Sequence, residues 1–268
     1  MLKTRVLTGA VLTVILLLVA AFSYIPWVLS LFAACLSVLA IHELYSAVRL
    51  TECKTLYFGS CIAAVLISFL PVLYFDYIAA VFLILAVPLY VYLMRGIGKI
   101  NAVKPWITVF TAAMITVFFK CITVIRTAEY GIYLFGASIL TPVLTDIFAY
   151  FIGKRFGKHK LAPVISPKKT VEGSIGGTFC TVLILMLSAI IPVRANALSL
   201  NLGAAFLYLL VASLIGQFGD LAFSSIKRIA CIKDYGTLLP GHGGILDRFD
   251  SFLFVLPFTC FMGYMGLI

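Results

Sequence analysis

Apolar runs of about 20 residues, separated by short polar or proline-bearing breaks, repeat along the whole chain. They lie at 6–24, 27–48, 56–74, 77–94, 106–125, 130–151, 174–193, 200–221 and 251–268. Each is long enough for a helix to cross a hydrocarbon core of about 30 Å. The pattern predicts an all-α, polytopic integral membrane protein of about nine transmembrane helices. The breaks at Pro26, Pro71 and Asp76 are so short that eight or ten spans fit the same pattern. The first run is long and has no convincing cleavage site, so it reads as a retained span.

Composition excludes the soluble classes. Of 268 residues, 63% are hydrophobic and only 11% charged, with a mean hydropathy of +1.15. The 20 Lys and Arg against 10 Asp and Glu give a net charge of +10. In a membrane protein this excess reads first as a topology signal and as attraction to anionic lipid, and a nucleic-acid partner is not expected. With a cytoplasmic N-terminus, 17 of the 20 basic residues fall on the cytoplasmic side, leaving Lys120, Arg126 and Arg194 outside. The expected location is therefore the inner (cytoplasmic) membrane, with the C-terminus external. The seven cysteines form no Cys-x-x-Cys pair and mostly sit in apolar runs, as core thiols do.

Charge placement also divides the chain. Residues 1–130 read as a transmembrane anchor region, and 131–268 as a transmembrane catalytic region with cytoplasmic loops at 152–173 and 222–250. Six of the ten acids, Asp146, Glu172, Asp220, Asp234, Asp247 and Asp250, lie in or beside those loops. Asp146 stands inside an apolar run, where a carboxylate is costly. It reads as a ligand or metal carboxylate reached from the cytoplasmic face, with a structural ion pair or cap near Pro142 as the alternative. The first loop offers six basic residues among glycines and prolines, and Ser166-Pro167-Lys168-Lys169-Thr170 beside Glu172 suits phosphate. Gly173 and Gly177 read as helix-packing positions.

In the second segment, Asp220, Ser224 and Lys227 recur at i, i+4 and i+7 if the eighth helix continues, with Arg228 beside them. Pro240-Gly241-His242-Gly243-Gly244 cannot be helix interior. Beyond it, Asp247 and Asp250, at i and i+3, can point together and suggest a divalent cation. Hard oxygen donors favour Mg2+ over Zn2+. His42-Glu43 lacks the HExxH continuation of a zinc peptidase, and neither a GxxxxGK[ST] nor a GxGxxG motif occurs.

SSIKRIACIKDYGTLLPGHGGILDRFDS, residues 224–251, resembles the signature of the phosphatidate cytidylyltransferase family, the CDP-diacylglycerol synthases. TDIFAYFIGKRFGK followed by ISPKKTVEG resembles that family too. The resemblance implies an enzyme joining CTP to phosphatidate, giving CDP-diacylglycerol and pyrophosphate, with a divalent metal. It implies that Asp220, Asp247 and Asp250 belong to the metal-dependent centre; the depth of Asp146 in its run suits a group that orients metal or polar groups from below. Ser224, Lys227 and Arg228 would handle phosphate, and Ser166, Lys168, Lys169 and Thr170 would form a substrate-binding wall. Lys233, His242, Gly243, Gly244 and Arg248 complete the expected substrate-binding set.

The chemistry is self-consistent. Phosphatidate already carries an ionised oxygen, so no activated serine or cysteine is needed; the barrier is repulsion between two anions. Other readings are a CTP-using transferase with a different lipid acceptor, a secondary transporter or a scaffold. No clear inverted repeat supports a transporter. A homodimer is compatible with the apolar helix surfaces.

Overall fold

The structure, a computed structural model, describes residues 9–11, 14–15, 17–19, 21–71, 75, 78, 91, 104–128, 130–194, 201–241 and 243–264. Its named elements are helices α1 (Pro26–Ala47), α2 (Lys54–Phe69), α3 (Lys104–Thr127) and α4 (Gly131–Phe156), strands β1 (Lys160–Ala162) and β2 (Ser166–Thr170), and helices α5 (Val171–Arg194), α6 (Leu202–Ile229) and α7 (Leu246–Tyr264). Among the described residues, five helices (α1, α3, α4, α5 and α6) are long and apolar enough to cross a membrane. The protein is a multi-pass, helical membrane protein. The expected span at 77–94 falls largely outside the described residues, and that at 6–24 does so in part.

Two expectations need correction. The first expected loop, 152–173, is mostly structured: α4 runs on to Phe156, and the segment up to Thr170 closes as an antiparallel hairpin pairing Lys160 with Thr170 and Ala162 with Ser166. The protein is all-α as expected, with this one two-stranded hairpin beside its helices. The second, 222–250, is also shorter as a loop, because α6 continues to Ile229 and α7 starts at Leu246. Charged residues at a helix end do not stop the backbone ladder; they end only the apolar run.

By compactness the chain divides into two units. One unit comprises Met1–Val124 with Ser225–Asp250, the other Ile125–Ser224 with Ser251–Ile268. In the first, the buried core includes Ala33, Ala40, Ile41 and Leu44 from α1 and Ile115, Phe118, Phe119 and Ile122 from α3. The Tyr45 hydroxyl lies 2.9 Å from Ser60 Oγ and joins α1 to α2. The buried Lys120 ammonium donates to the Ser68 carbonyl at 2.8 Å, satisfying an acceptor at the end of α2. α1 and α6 stop alike. Arg49 and Cys231 take left-handed φ of 58° and 55°, and the next amide, Leu50 or Ile232, donates back five residues at 2.9 Å.

In the second unit, α4 and α5 pack through small residues. A Cβ at Gly177 would stand 2.8 Å from Ala149 Cβ and from the Thr145 carbonyl oxygen, and one at Gly173 2.6 Å from the Ala149 carbonyl oxygen. That close approach is the packing role expected of these glycines. Hydroxyls join α4, α5 and α6: Ser213 Oγ lies 2.9 Å from both Thr145 Oγ1 and Thr178 Oγ1, and Gln217 Nε2 donates to Thr178 Oγ1 at 2.9 Å. Each polar atom thus finds a partner where water is scarce. Ile132, Val143, Ile147, Ile175, Phe179 and Leu183 remain exposed, as lipid-facing positions do.

Candidate active site

Each unit carries one group of the side chains expected to be functional. In the second unit a cavity of about 620 Å³ is lined by Asp146 and Tyr150 of α4, Lys168, Lys169 and Thr170 of β2, and Gln217 and Asp220 of α6, with Lys154 and Lys160 beside them. Backbone rules put these residues there. Thr170 Oγ1 accepts the Gly173 amide at 3.2 Å and so caps α5. Glu172 accepts the amides of Lys158 and His159 at 3.0 and 3.2 Å, with His159 Nδ1 at 2.6 Å, tying the hairpin to the start of α5. Lys169 then forms an ion pair with Asp220, whose other oxygen accepts from Ser224 Oγ at 3.2 Å.

The cavity's charge pattern suits a phosphate group. Four lysines offer ammonium donors, while Asp146 and Asp220 provide hard oxygens. Mg2+ is commonly held by one or two carboxylates together with substrate phosphates, so this donor set fits it. Among the described residues, no three His, Cys, Asp or Glu side chains form a ready metal cage.

The second group belongs to the first unit. Lys227, near the end of α6, donates to Asp247 Oδ1 at 2.8 Å, with their side chains 11% and 3% exposed. Asp247 Oδ2 accepts the amides of Tyr235 and Gly244 at 2.8 and 3.0 Å. Lys227 Nζ also lies 5.5 Å from the Tyr235 ring centroid. The loop before α7 turns through a Leu239–Gly243 bridge, with Gly241 and Gly243 at φ of 78° and 85°, where a side chain would be strained. Arg228 donates to the Ile232 carbonyl at 3.3 Å, and Asp250 is buried one turn into α7.

The sequence profile of the cytidylyltransferase family matches residues 3–265. The chain belongs to the cytidylyltransferase family. It is 51% identical over 132 residues to a phosphatidate cytidylyltransferase of Staphylococcus aureus (strain COL), covering 49% of each chain. Over 131 residues it is 47% identical to one of Staphylococcus haemolyticus, again covering 49% of each. The chain spans about half the length of the curated relatives it matches.

Within this family member the expected residues divide between the two groups. Lys168, Lys169, Thr170, Asp146 and Asp220 line the cavity, and Ser224 bonds Asp220. Lys227, Asp247 and Gly244 are joined by hydrogen bonds in the first unit. Ser166 pairs with Ala162 in the hairpin and is absent from the cavity wall. Lys233 and Arg248 are exposed, and His242 lies outside the described residues. One residue was weighed in the sequence only as half of an incomplete zinc-peptidase motif. Glu43 of α1, only 5% exposed, accepts the Ile245 and Leu246 amides, each at 2.9 Å. Its only sequence signal was a lone carboxylate within an apolar run.

Proposed function

We propose that this protein is a phosphatidate cytidylyltransferase, making CDP-diacylglycerol and pyrophosphate from CTP and phosphatidate. The observation that carries the reading is a cavity where two carboxylates and four lysines converge, in a chain of the cytidylyltransferase family. An ionised phosphatidate oxygen forms a bond to the α phosphorus of CTP, and the bond from that phosphorus to the bridging oxygen of the β phosphate breaks. Pyrophosphate takes the electron pair. Acyl chains stay among the exposed apolar side chains, while the head group sits at the membrane surface.

The residues have separate tasks. Lys168 and Lys169 reduce the repulsion between two phosphate-bearing substrates, and Thr170 shapes the wall beside them. Lys227 and Arg228 neutralise phosphate charge, Lys227 being fixed by Asp247. Gly243 and Gly244 let the backbone approach closely. Asp146 and Asp220 would hold Mg2+ in the cavity of the second unit, while in the first unit Asp247 holds Lys227 and Asp250 lies one turn further along the same helix. The bound ion would supply charge stabilisation to phosphate oxygens. The positive-inside bias supports a cytoplasmic N-terminus and active site in the inner membrane.

Purified protein in phosphatidate micelles tests this. With CTP and Mg2+ it should form a cytidine-containing lipid, and a competing polyprenyl phosphate should not displace phosphatidate. Efficient transfer to the polyprenyl acceptor instead would change the assignment.

A further inference from the structure

We infer that Glu43, on α1, is the positioning residue for the Lys227–Asp247 pair. The inference rests on the proposed cytidylyl transfer. Glu43 lies within an apolar helix, and a carboxylate there persists only with strong partners. Its partners are the amides of Ile245 and Leu246, both 2.9 Å away, 202 and 203 residues along the chain. These are N–H groups at the start of α7, which have no partner inside the helix and carry the positive end of its dipole. Glu43 therefore caps α7 from another helix.

The loop is shaped around that carboxylate. A Cβ at Gly236 would stand 2.9 Å from Glu43 Oε1, and one at Gly244 2.5 Å from Oε2. Among the described residues the positive-φ glycines are Gly241 and Gly243, so Gly236 and Gly244 serve the space Glu43 occupies and not an unusual backbone angle. The same short segment fixes Asp247, whose Oδ2 accepts from Tyr235 and Gly244 while Oδ1 takes the Lys227 ammonium. The Glu43 oxygens engage backbone, so it acts through Asp247 and Lys227. A shift of about 1 Å in such a group can cost roughly a hundredfold in rate.

The test uses the full chain in detergent. Glu43→Gln keeps the shape but sets an amide donor against one of the two backbone donors. In folded, monodisperse protein it should lower turnover by roughly ten- to hundredfold. Hydrogen exchange at Ile245 and Leu246 should accelerate at least about tenfold as the cap is lost. Gly244→Ala should show the same two changes, and in a Glu43→Asp background, where the carboxylate is withdrawn, its turnover loss should be at least about threefold smaller. Wild-type exchange at both amides in Glu43→Gln, or wild-type turnover per folded molecule, overturns the inference. If Glu43→Gln yields no folded protein, an equal loss from Gly244→Ala in the Glu43 and Asp backgrounds overturns it. An inactive wild type would sink the proposed reaction, and the exchange measurement would still judge the hold of Glu43 on the loop.

Discussion

Asp247→Asn puts the buried pair under the sharpest test. Asp247 Oδ1 faces the Lys227 ammonium at 2.8 Å, and Oδ2 faces two amide donors at 2.8 and 3.0 Å. An asparagine can present only one oxygen. Its amide nitrogen must confront either the ammonium or the two N–H groups, so neither rotamer preserves the arrangement. With side chains only 11% and 3% exposed, the variant leaves a buried ammonium without its counter-charge. Breaking such a pair costs about 3–5 kcal/mol. At about 2–4 °C per kcal/mol for chains of 150–250 residues, the thermal midpoint should fall by roughly 6–20 °C. Adding Lys227→Met removes the stranded charge and should recover at least about half of that loss, while turnover stays near zero. The assay is a thermal melt in detergent beside CTP turnover. A melting point within about 2 °C of wild type for Asp247→Asn, a shift of less than about 1 kcal/mol, would refute the reasoning. So would a double variant no more stable than the single one.

Two further perturbations address the second unit. Asp220→Asn removes the counter-charge of Lys169 and one of the two cavity carboxylates; turnover at saturating CTP should fall at least about a hundredfold, and the Mg2+ needed for half-maximal residual rate should rise. An unchanged Mg2+ requirement in titrations would remove Asp220 from the ligand set. Gly177→Val forces branched carbons into a gap where a Cβ already meets Ala149 Cβ at 2.8 Å. It should cost about 1–3 kcal/mol or more, read as a lower thermal midpoint, and wild-type stability would contradict the close packing of α4 on α5.

Much of this was legible in the chain because membrane insertion writes itself into hydropathy. The centres of α1, α3, α4, α5 and α6 fall inside the apolar runs, and Asp146 stood out as a carboxylate in one of them. Helix ends were harder to place. Lys154 and Arg155 in the last turn of α4, and Lys227 and Arg228 in that of α6, end the apolar pattern while leaving the hydrogen-bond ladder intact. The β1–β2 hairpin was hidden because Ser166-Pro167-Lys168-Lys169-Thr170 has neither β-branched alternation nor a strong turn pair. The role of Glu43, set aside with the incomplete HExxH motif, was hidden for a different reason. Its meaning depends on backbone amides more than 200 residues away, and no local pattern encodes such a contact. The residues after 140 carry the recognisable motif, yet an anchor-region side chain helps to hold one part of it.

The most direct measurement is cytidylyl transfer itself, followed in purified, monodisperse protein with labelled CTP, phosphatidate micelles and Mg2+. The account predicts one cytidine-bearing lipid formed for each pyrophosphate released, with both products dependent on phosphatidate. Folded protein that releases no pyrophosphate and makes no such lipid would contradict it.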